Sequence, residues 1–503
     1  MFIEIGSDLA GQIGAIPADV ERLLAPTLTY THRHFLQGAD RIGPDGSIRR
    51  VEFETRRLYD LSPRYTLLTG FGCLPRLMGL LHAAGHPVRI VDCSPPKPRP
   101  KAYTVDWDLF NRKVAEKKWV WRHRQLECIC NLTTAYGGII NAPPAFGKTE
   151  IIAWLAILFP WAKIAVVTKR ADVAKTIVRR LKAYLPNVGF CGGGKRPKGE
   201  RVTVYIAKSM TKCDGDVDFC FYDEAHESCS DWYAEQFTRT FIHSRNFGFT
   251  ATPDGRADGG SPRLEYMFGP QIFFMPWQEA EAHGMIVPVE VRWLNITLPR
   301  DPTAGYTSDV AKKRWGLWRN DPRNAAFGYA LTHGHEFDDQ ALCLVETIDH
   351  AVHLRKHLPH YELCYDKMDP GFLEYAKAND LLPEDYEPLT PKQRDALRSG
   401  FEDGRVRRVI ATDVWSTGVS FDALAILARL CGRSSEILDD QAPGRVTRTH
   451  APSGKASAIM YDAHDLWNPG AERRSKERYK RYGNKGWTQL RDYMAAADPR
   501  SKA

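Results

Sequence analysis

One ten-residue stretch limits what this chain can fold into more than any other. It reads NAPPAFGKTE, runs from Asn141 to Glu150, and lies between the apolar run 138–140 and a longer apolar run at 151–159. The order of strand, tight loop and helix is the setting of a phosphate-binding loop. Backbone N–H groups in such a loop converge on an anion, and the helix N-terminus adds partial positive charge.

Individual residues of this loop suggest how a nucleotide would be held. Lys148 is placed to reach the outer phosphates, and the Thr149 hydroxyl is placed to help hold Mg²⁺. Ala142 stands where the general pattern has its first Gly. Because Gly-Lys-Thr alone is a weak signal, an incidental turn before a core helix is the competing interpretation, and the remaining motifs decide between them.

Bulk composition sets broad limits on the class of protein. The chain has 503 residues, a formal net charge of +8 and a pI near 8.8, with 43% hydrophobic and 26% charged residues. These values indicate a globular protein of about three domains whose basic surface suits nucleic acid without requiring it. We see no signal peptide and no bilayer-spanning apolar run, so we expect a cytoplasmic protein without a membrane partner, in the host cytoplasm if phage-encoded. The 11 scattered Cys indicate reduced core thiols rather than a zinc site.

Changes in pattern predict three domains. Residues 1–104 form a small α+β unit that ends in a Pro-rich linker at 94–101, where alternating Pro favours an extended spacer. Residues 105–287 and 288–503 each alternate apolar runs with helical segments, which is typical of parallel sheets covered by helices. The expected strands are 138–141, 164–168, 202–206, 219–222 and 247–250 in the first lobe, and 341–345, 408–412 and 456–461 in the second. Two such lobes predict a ligand cleft between them.

An acidic pair follows one of the expected strands. Asp223 comes directly after the apolar run 219–222, where a carboxylate that holds Mg²⁺ through water belongs. Glu224 beside it is placed to polarise an attacking water as a general base. Two acids after a strand often only cap the next helix, so the pair gains its weight from the phosphate loop earlier in the same lobe.

Polar segments follow other strands as well. Thr250-Ala251-Thr252 ends a strand of the first lobe, where its hydroxyls can reach the acidic pair and the other lobe. In the second lobe, Arg445 and Arg448 lie three apart, so on a helix they share a face and can neutralise charge on γ-phosphoryl oxygens. Gly418 allows backbone to approach a ligand closely. Each of these segments, taken alone, also fits an ordinary surface turn or loop.

Three segments keep two interpretations each. The Arg- and His-rich face of residues 1–104 is either solvated or in contact with phosphates. The basic, Tyr-containing run 473–482 either touches nucleic acid or packs its Tyr side inward. The acidic, Pro-containing segment 366–387 is either a surface insertion or a helical excursion of the second lobe.

Taken together, the motifs resemble those of superfamily 2 helicases of the DEAH-box type. They are GKT at 147–149, DEAH at 223–226, TAT at 250–252, TD…STGVSFD at 412–422 and QAPGRVTR at 441–448. The resemblance covers residues 119–450, and the motif set is specific although each part is weak. It implies an α/β fold with two RecA-like parallel-sheet domains in tandem, preceded by the small N-terminal domain. ATP is then expected in the cleft, with nucleic acid across the top.

The same resemblance assigns roles to residues at the nucleotide. Lys148, Asp223 and Glu224 keep the roles argued above, Gln441 senses the γ-phosphate or attacking water, and Arg445 and Arg448 become arginine fingers. Gln125 matches a glutamine that reads adenine, although Arg124 stands where relatives often have Tyr. The expected nucleotide-binding residues are Gln125, Pro144, Ala145, Phe146, Gly147, Lys148, Thr149 and Gly418, with Mg²⁺ at Thr149 and Asp223.

Nucleic-acid contacts are implied by the resemblance too, at the ends of strands in both lobes. Ala207 replaces a frequent Thr, which weakens the match there. The expected contacts are Thr168, Lys169, Arg170, Lys208, Ser209 and Thr412.

A narrower resemblance is to the UvsW-type recombination helicases of phages. It is carried by the segments 70–74, 85–88, 192–194 and 254–259. These helicases remodel branched DNA by fork regression, branch migration of junctions and removal of RNA–DNA loops, in DNA recombination and repair.

The sequence therefore predicts a monomeric ATP-dependent DNA helicase or translocase. It is expected to use ATP and Mg²⁺ and to act on single-stranded, double-stranded and branched DNA, with an RNA–DNA hybrid as a further substrate. An RNA helicase, a motor subunit of a restriction complex, and an ATP-switched nucleic-acid clamp without unwinding are the alternative interpretations.

Overall fold

The chain divides into two compact units, Met1–Met275 and Pro276–Ala503. The computed structural model describes residues 2–5, 18–35, 51–57, 59–61, 67–69, 73–86, 89–92, 107–241, 244–253, 261–335, 339–412, 415, 421–432, 444 and 446–491. The Pro-rich linker at 94–101 and the glycine-containing segments at 70–72 and 254–259 lie outside these residues, as do Gly418, Gln441 and Arg445. No helix in the described ranges is long and apolar enough to cross a membrane.

The N-terminal part of the first unit is a small α+β arrangement, as the sequence predicts. β1 and β6 pair in parallel, whereas β2 pairs with β3 and β4 with β5 in antiparallel fashion. A small apolar core that includes Leu24, Leu77 and Leu81 joins its two helices. The elements are β1 (Phe2–Ile5), α1 (Ala18–Leu24), β2 (Thr29–Phe35), β3 (Val51–Arg57), β4 (Tyr59–Leu61), β5 (Leu67–Thr69), α2 (Leu74–Ala83) and β6 (Arg89–Asp92).

The rest of the first unit is a RecA-like α/β domain built on a seven-stranded sheet. The strand order is β13-β7-β12-β11-β8-β10-β9, and every neighbouring pair is parallel. Its elements are α3 (Trp107–Glu116), α4 (Gln125–Thr134), β7 (Gly137–Asn141), α5 (Lys148–Leu158), β8 (Ile164–Thr168), α6 (Ala171–Lys182), β9 (Val188–Cys191), β10 (Val202–Ile206), β11 (Phe219–Asp223), α7 (Asp231–Thr240), β12 (Arg245–Thr250), α8 (Pro262–Phe268) and β13 (Gln271–Phe274).

Burial on both faces explains why these strands read as apolar runs. Every residue of β8, sequence IAVVT, is buried, as parallel strands covered by helices require. Gly137 at the start of β7 lies against α8, and a Cβ there would come within 2.5 Å of the Phe268 carbonyl oxygen. The small residue therefore lets α8 pack directly on the sheet beside the strand that leads to the phosphate loop.

The second unit carries another RecA-like sheet of seven parallel strands, in the order β16-β17-β15-β18-β19-β14-β20. Its elements are α9 (Trp277–Ala282), β14 (Val289–Ile296), α10 (Asp309–Lys313), α11 (Asp321–His333), β15 (Ala341–Leu344), α12 (Ile348–Arg355), β16 (Glu362–Cys364), α13 (Pro370–Ala378), α14 (Pro391–Glu402), β17 (Arg408–Ala411), β18 (Ile426–Arg429), β19 (Ala458–Asp465), α15 (Pro469–Asn484) and β20 (Thr488–Leu490). The Trp277 ring of α9 packs edge-on against Trp487, so α9 joins this unit, although a boundary after Val287 would assign it to the first.

The basic C-terminal segment belongs to the fold of the second unit. α15 buries Arg478 and Tyr482, and both donate to the carboxylate of Asp462 in β19, at 3.0 and 2.9 Å. Of the two interpretations of this segment, inward packing of its Tyr side is confirmed. Arg473 and Lys476 remain exposed on the other side of the helix.

The segment 366–387 is a helical excursion packed on the second unit. Asp369 caps α13 by accepting from the Phe372 N–H, and Ala376 and Leu382 are buried in the apolar core. The Tyr386 hydroxyl lies 2.9 Å from that of Tyr365, which ties the end of the excursion back to the residue after β16.

Candidate nucleotide and nucleic-acid site

The sequence-predicted site residues of the first unit gather at one edge of its sheet. Asn141 pairs with Thr250, Asp223 with Phe249, and Thr168 with Ile206, so five parallel strands end at about the same level. The phosphate loop, the threonine pair, the acidic pair and the predicted nucleic-acid contacts therefore follow one another along the carboxyl edge, where ligands of open α/β sheets bind.

The loop between β7 and α5 has the backbone of an anion site. Ala145 and Gly147 both adopt positive φ, at 69° and 88°, and Gly147 is the N-cap of α5. Lys148 and Thr149 form the first turn of that helix and are half-buried, as is Pro144. The first N–H groups of a helix have no partner within it, so this turn presents unused donors where the loop closes.

A buried side chain from α4 fixes the shape of the loop. Gln125 is 1% exposed, its Nε2 donates to the Phe146 carbonyl oxygen at 2.7 Å, and its Oε1 accepts from the Arg122 N–H at 3.0 Å. The Arg122 guanidinium also donates to the Ala145 carbonyl oxygen. A Cβ at Gly147 would come within 2.4 Å of Gln125 Nε2, so Gly is required there for steric as well as backbone reasons. This role of Arg122 was not predicted from the sequence. The position of Arg122 three residues before Gln125 was the only signal in the sequence for it.

Packing behind the loop is aromatic. The buried Phe146 ring stacks on Phe273 of β13 with centroids 5.1 Å apart, and the Arg124 guanidinium lies 4.9 Å from the Phe273 centroid. Arg124 also donates to both oxygens of Glu127, at 2.6 and 2.7 Å. Arg124 is therefore tied to α4 and β13. The role of Gln125 in reading adenine stays a prediction.

The carboxyl group of Asp223 suits a cation. Burial and the neighbouring charge of Glu224 raise the pKa of Asp223 to about 6, and the positive charge of Lys148 opposes that rise. A carboxylate that is costly to ionise until positive charge arrives has the chemistry of a metal ligand. The described residues contain no group of three or more His, Cys, Asp or Glu side chains that could hold a metal. The role of Asp223 and Thr149 in holding Mg²⁺, largely through water, stays a prediction.

Glu224 is placed by its backbone and by its neighbours. It adopts positive φ of 53° at the start of the short 3₁₀ turn Ala225–Ser228, and its carboxylate lies 3.6 Å from His226 Nδ1. The same nitrogen lies 2.9 Å from the hydroxyl of Thr250, which also accepts from the Thr252 N–H at 3.0 Å. The Thr250 hydroxyl thus contacts the histidine of the DEAH motif, whereas direct contact with the acidic pair was expected.

The predicted nucleic-acid contacts of the first unit differ in exposure. Lys169 and Lys208 are exposed, Arg170 is half-buried and pairs with Asp172 at 3.4 Å, and Thr168 and Ser209 are buried. The two buried residues end β8 and lie in the 3₁₀ turn Ala207–Lys212 after β10, so they support the exposed lysines beside them.

In the second unit, two of the five sequence-predicted residues can be placed. Thr412 is buried directly after β17, and its N–H donates to the Cys364 carbonyl oxygen at 3.0 Å. Arg448 forms an isolated antiparallel β-bridge with Ile286, and its guanidinium lies 3.5 Å from Asp422. The helix that would put Arg445 and Arg448 on one face is therefore not present at Arg448, because its backbone pairs with the segment leading into β14.

Comparisons with known proteins agree with this arrangement. Residues 118–255 match the family described as type III restriction enzyme, res subunit. The DNA 3′–5′ helicase XPB of Kineococcus radiotolerans is 21% identical over 368 residues, covering 70% of this chain and 61% of that protein. The XPB helicase of Mycobacterium tuberculosis is 21% identical over 373 residues, covering 71% and 63%. The chain thus spans less than two thirds of the length of these relatives.

Solved structures match at the level of fold. Saccharomyces cerevisiae Dbp5, in a variant bound to Gle1 and IP6, has a TM-score of 0.51 at 12% identity and covers 79% of this chain and 98% of its own. The match to T4 UvsW covers 94% of this chain and 95% of UvsW at 15% identity, with a low TM-score of 0.39. The family match, the relatives and the two parallel sheets together support a superfamily 2 helicase. The DEAH-box subtype and the kinship with UvsW stay predictions.

Proposed function

We propose that this chain is an ATP-dependent DNA helicase or translocase of superfamily 2. The observation that carries the proposal is the sheet edge of the first unit. There the loop of left-handed Ala145 and Gly147 lies two strands from Asp223 and Glu224, with only β12 between β7 and β11. Phosphate binding and water activation on one edge are the two requirements of nucleoside triphosphate hydrolysis.

The residues of this edge divide the work of hydrolysis. Lys148 and the first N–H groups of α5 neutralise and orient the phosphates of ATP, while Thr149 and Asp223 are the groups that would hold Mg²⁺. When bound, that ion neutralises charge on the phosphate oxygens. Glu224 accepts a proton from the attacking water, and His226, which is fixed by its contact with Thr250, lies 3.6 Å from the Glu224 carboxylate.

The second unit is proposed to complete the reaction. Arg445 and Arg448 supply guanidinium groups for the γ-phosphoryl oxygens, Gln441 senses the phosphate or the water, and Gly418 allows close backbone approach. For Arg448, leaving the pair with the half-exposed Asp422 is a small cost, because exposed ion pairs contribute only about 0–1 kcal/mol.

DNA is the proposed polymer, gripped by Lys169, Arg170 and Lys208 from the first unit, with the buried Thr412 as the predicted contact of the second. The two relatives named DNA 3′–5′ helicase support DNA as the substrate and suggest that direction of movement. Remodelling of branched DNA, including forks, junctions and RNA–DNA loops, is the finer proposal and rests on the motif resemblance alone.

Strand displacement on matched substrates tests this function. Forks, four-way junctions, RNA–DNA loops and partial duplexes with a 3′ or 5′ tail would be compared with ATP present and absent. We expect ATP-dependent product from tailed or branched DNA. Product from RNA duplexes alone would reject the DNA assignment, and product from tailed duplexes but not from junctions would reject branch remodelling.

A motor subunit of a restriction complex is the second candidate. The match of residues 118–255 to the res subunit family favours it. Such a motor would move along duplex DNA without separating strands, so it would displace a third strand from a triplex yet leave forked duplexes intact.

A further inference from the structure

Two exposed aromatic rings of the second unit stack on each other. Tyr306 and Trp315 are 40% and 39% exposed, with ring centroids 6.2 Å apart and planes 15° from parallel. Rings that served only as core filling would be covered like Leu317 and Trp318, the second and third residues after Trp315, which are 5% and 8% exposed. The exposed pair therefore needs another explanation.

Both rings are held by a fixed frame. The Tyr306 N–H donates to the Thr303 carbonyl oxygen at 3.2 Å, directly after Gly305 with φ of 83°. The Thr303 hydroxyl donates to Asp301 at 2.7 Å, and Asn468 donates to the same carboxylate at 3.1 Å. The loop is thus anchored to the segment that caps α15, and it presents Tyr306 in a defined position.

Trp315 is held in place by the turn in which it lies and by a neighbouring guanidinium. It lies in the π-helical turn Arg314–Trp318, whose Gly316 packs so closely that a Cβ would come within 2.8 Å of both Thr303 and Trp467. The Arg319 guanidinium lies 5.8 Å from the Trp315 centroid and donates to both oxygens of Asp349 at 3.0 Å. Such pre-organisation lowers the entropy cost of binding a flat ligand.

The rings lie at the edge of the second sheet that carries a predicted nucleic-acid contact. The turn that holds Trp315 is tied to Glu346, two residues after β15, by the Trp318 Nε1 hydrogen bond of 3.1 Å and by Lys313 at 3.3 Å. β15 is the direct neighbour of β17, which ends at Ala411, directly before Thr412. The rings and Thr412 therefore share the carboxyl edge of one parallel sheet.

Charge around the rings favours a polyanion. The run Lys312-Lys313-Arg314 immediately precedes Trp315, and Arg314 is 44% exposed. Asp349 and Glu346 neutralise part of this charge, and Lys312 and Arg314 remain in reach of solvent. Flat rings beside cations are the combination that binds single-stranded nucleic acid, in which bases stack and phosphates pair with cations.

We propose that Tyr306 and Trp315 form a base-stacking platform for single-stranded nucleic acid. The platform rests on the proposed function, because it adds a base contact to the strand that the motor grips. It makes affinity depend on the bases, whereas the lysines of the first unit contact only the backbone.

Binding of an oligothymidylate and of an abasic strand of equal length tests the platform, because the second strand has the phosphates without the bases. The full-length chain should bind the oligothymidylate more tightly. Tyr306→Ala and Trp315→Ala should each weaken that binding about tenfold and leave abasic binding unchanged, since a stacked base contributes roughly this factor. Tyr306→Phe and Trp315→Phe keep a ring and should behave like the wild type. Tyr136→Ala removes another exposed aromatic, placed before β7, and is the matched control.

The outcomes separate the platform from the proposed function. Unchanged discrimination between the two strands in both alanine variants would overturn the platform, even if DNA still stimulates ATP hydrolysis. Lost discrimination with no stimulation by any nucleic acid would keep the platform and reject the motor. If both alanine variants bind the two strands as the wild type does but no longer bind a protein that the wild type binds, the rings contact a protein partner. That result also overturns the proposal.

Discussion

At the scale of single residues, the phosphate loop depends on a side chain that is not part of it. Gln125 uses one end of its amide on the Phe146 carbonyl oxygen and the other on the Arg122 N–H. Buried amides that satisfy both ends hold backbone in place, because leaving either end unpaired carries a full desolvation penalty. The loop conformation around Gly147 is thus set by α4 as well as by the glycine itself.

Substitution of Gln125 distinguishes its two roles. We expect Gln125→Ala to raise KM for ATP about tenfold, because one lost buried hydrogen bond costs about 1–3 kcal/mol. If Gln125 only shapes the loop, kcat/KM for ATP and GTP should fall by the same factor. If it reads adenine, the preference for ATP over GTP should disappear. Steady-state kinetics with both nucleotides decide, and unchanged kinetics would contradict both roles.

Glu224 should matter for the chemical step alone. Glu224→Gln keeps the shape of the side chain but removes its basicity, so kcat should fall by about 10²–10⁴ with little change in nucleotide affinity. Glu235→Gln, at an exposed position of α7 paired with Arg239, is the matched control. Measured kcat and ATP dissociation constants test this, and a Glu224→Gln variant with wild-type kcat would remove Glu224 from the mechanism.

At the scale of elements, apolar runs predicted the sheets, and side-chain partners distant in sequence determined the rest. All eight expected strands are present, because strands buried on both faces must be apolar. Six further strands of the two sheets were not predicted, namely β9, β13, β14, β16, β18 and β20, and β13 pairs with β7 through an irregular register. Arg478 is buried because it donates to Asp462, sixteen positions earlier, and the backbone of Arg448 pairs with that of Ile286. Local spacing and charge pattern could predict neither contact, because the partners are distant in sequence.

The candidate site was predictable in its residues and not in its contacts. The motifs predict Lys148, Asp223 and Glu224 as site residues, and the structure places the strands and the helix that carry them at one edge of the first sheet. The bond between His226 and Thr250 and the support that Arg122 gives to the loop depend on strand order, which spacing along the chain does not reveal.

One buried histidine, His350, and one half-buried histidine, His335, are expected to make the second unit sensitive to acid. Burial and the positive charges of Arg408 and Arg292 lower the pKa of His335 to about 4, and burial holds the pKa of His350 well below its usual range. An unfolded chain takes up these protons near pH 6.5. Between that value and pH 4 the unfolded state binds more protons than the folded state, so stability falls as the pH falls.

Replacement of His335 should reduce this sensitivity. We expect the free energy of unfolding of His335→Leu to fall less than that of the wild type between pH 7.5 and 5.0. The substitution removes one histidine that binds a proton more readily in the unfolded state than in the folded state. Urea unfolding midpoints at the two pH values measure it. His360→Leu, at an exposed position, should leave the pH difference of the wild type unchanged. Equal losses in His335→Leu and the wild type would contradict the assignment.

At the scale of the whole molecule, the N-terminal α+β part is attached to helices next to the acidic pair. Arg56 of β3 donates to both oxygens of Asp231, the first residue of α7, at 2.7 and 2.9 Å. Arg76 of α2 pairs with Glu265 of α8, and Tyr266 packs against the apolar core between α1 and α2. α7 begins shortly after the turn that holds His226, so the N-terminal part contacts a helix that lies close in sequence to the acidic pair.

This attachment should matter for the choice of DNA substrate. Arg56→Glu places a negative charge against Asp231, and we expect it to lower the preference for four-way junctions over linear duplex while hydrolysis stimulated by single strands persists. Deletion of residues 1–100 should have the same effect more completely. Arg239→Glu, exposed on α7, is the control. Binding titrations with junction and linear DNA measure the preference, and an identical preference in all four proteins would exclude a recognition role for the N-terminal part.

The central claim is that the chain is a motor driven by ATP and coupled to DNA. Its most direct test is ATP turnover by the wild type and by Lys148→Ala, without nucleic acid and with single-stranded DNA, duplex DNA, a four-way junction or RNA. We predict strong stimulation of the wild type by DNA and loss of at least 100-fold of that turnover in Lys148→Ala, as expected when a β/γ-phosphate contact is removed. Lys163→Ala, an exposed lysine paired with Asp216, should match the wild type. Turnover that no nucleic acid alters, or near-wild-type hydrolysis by Lys148→Ala, would contradict the account.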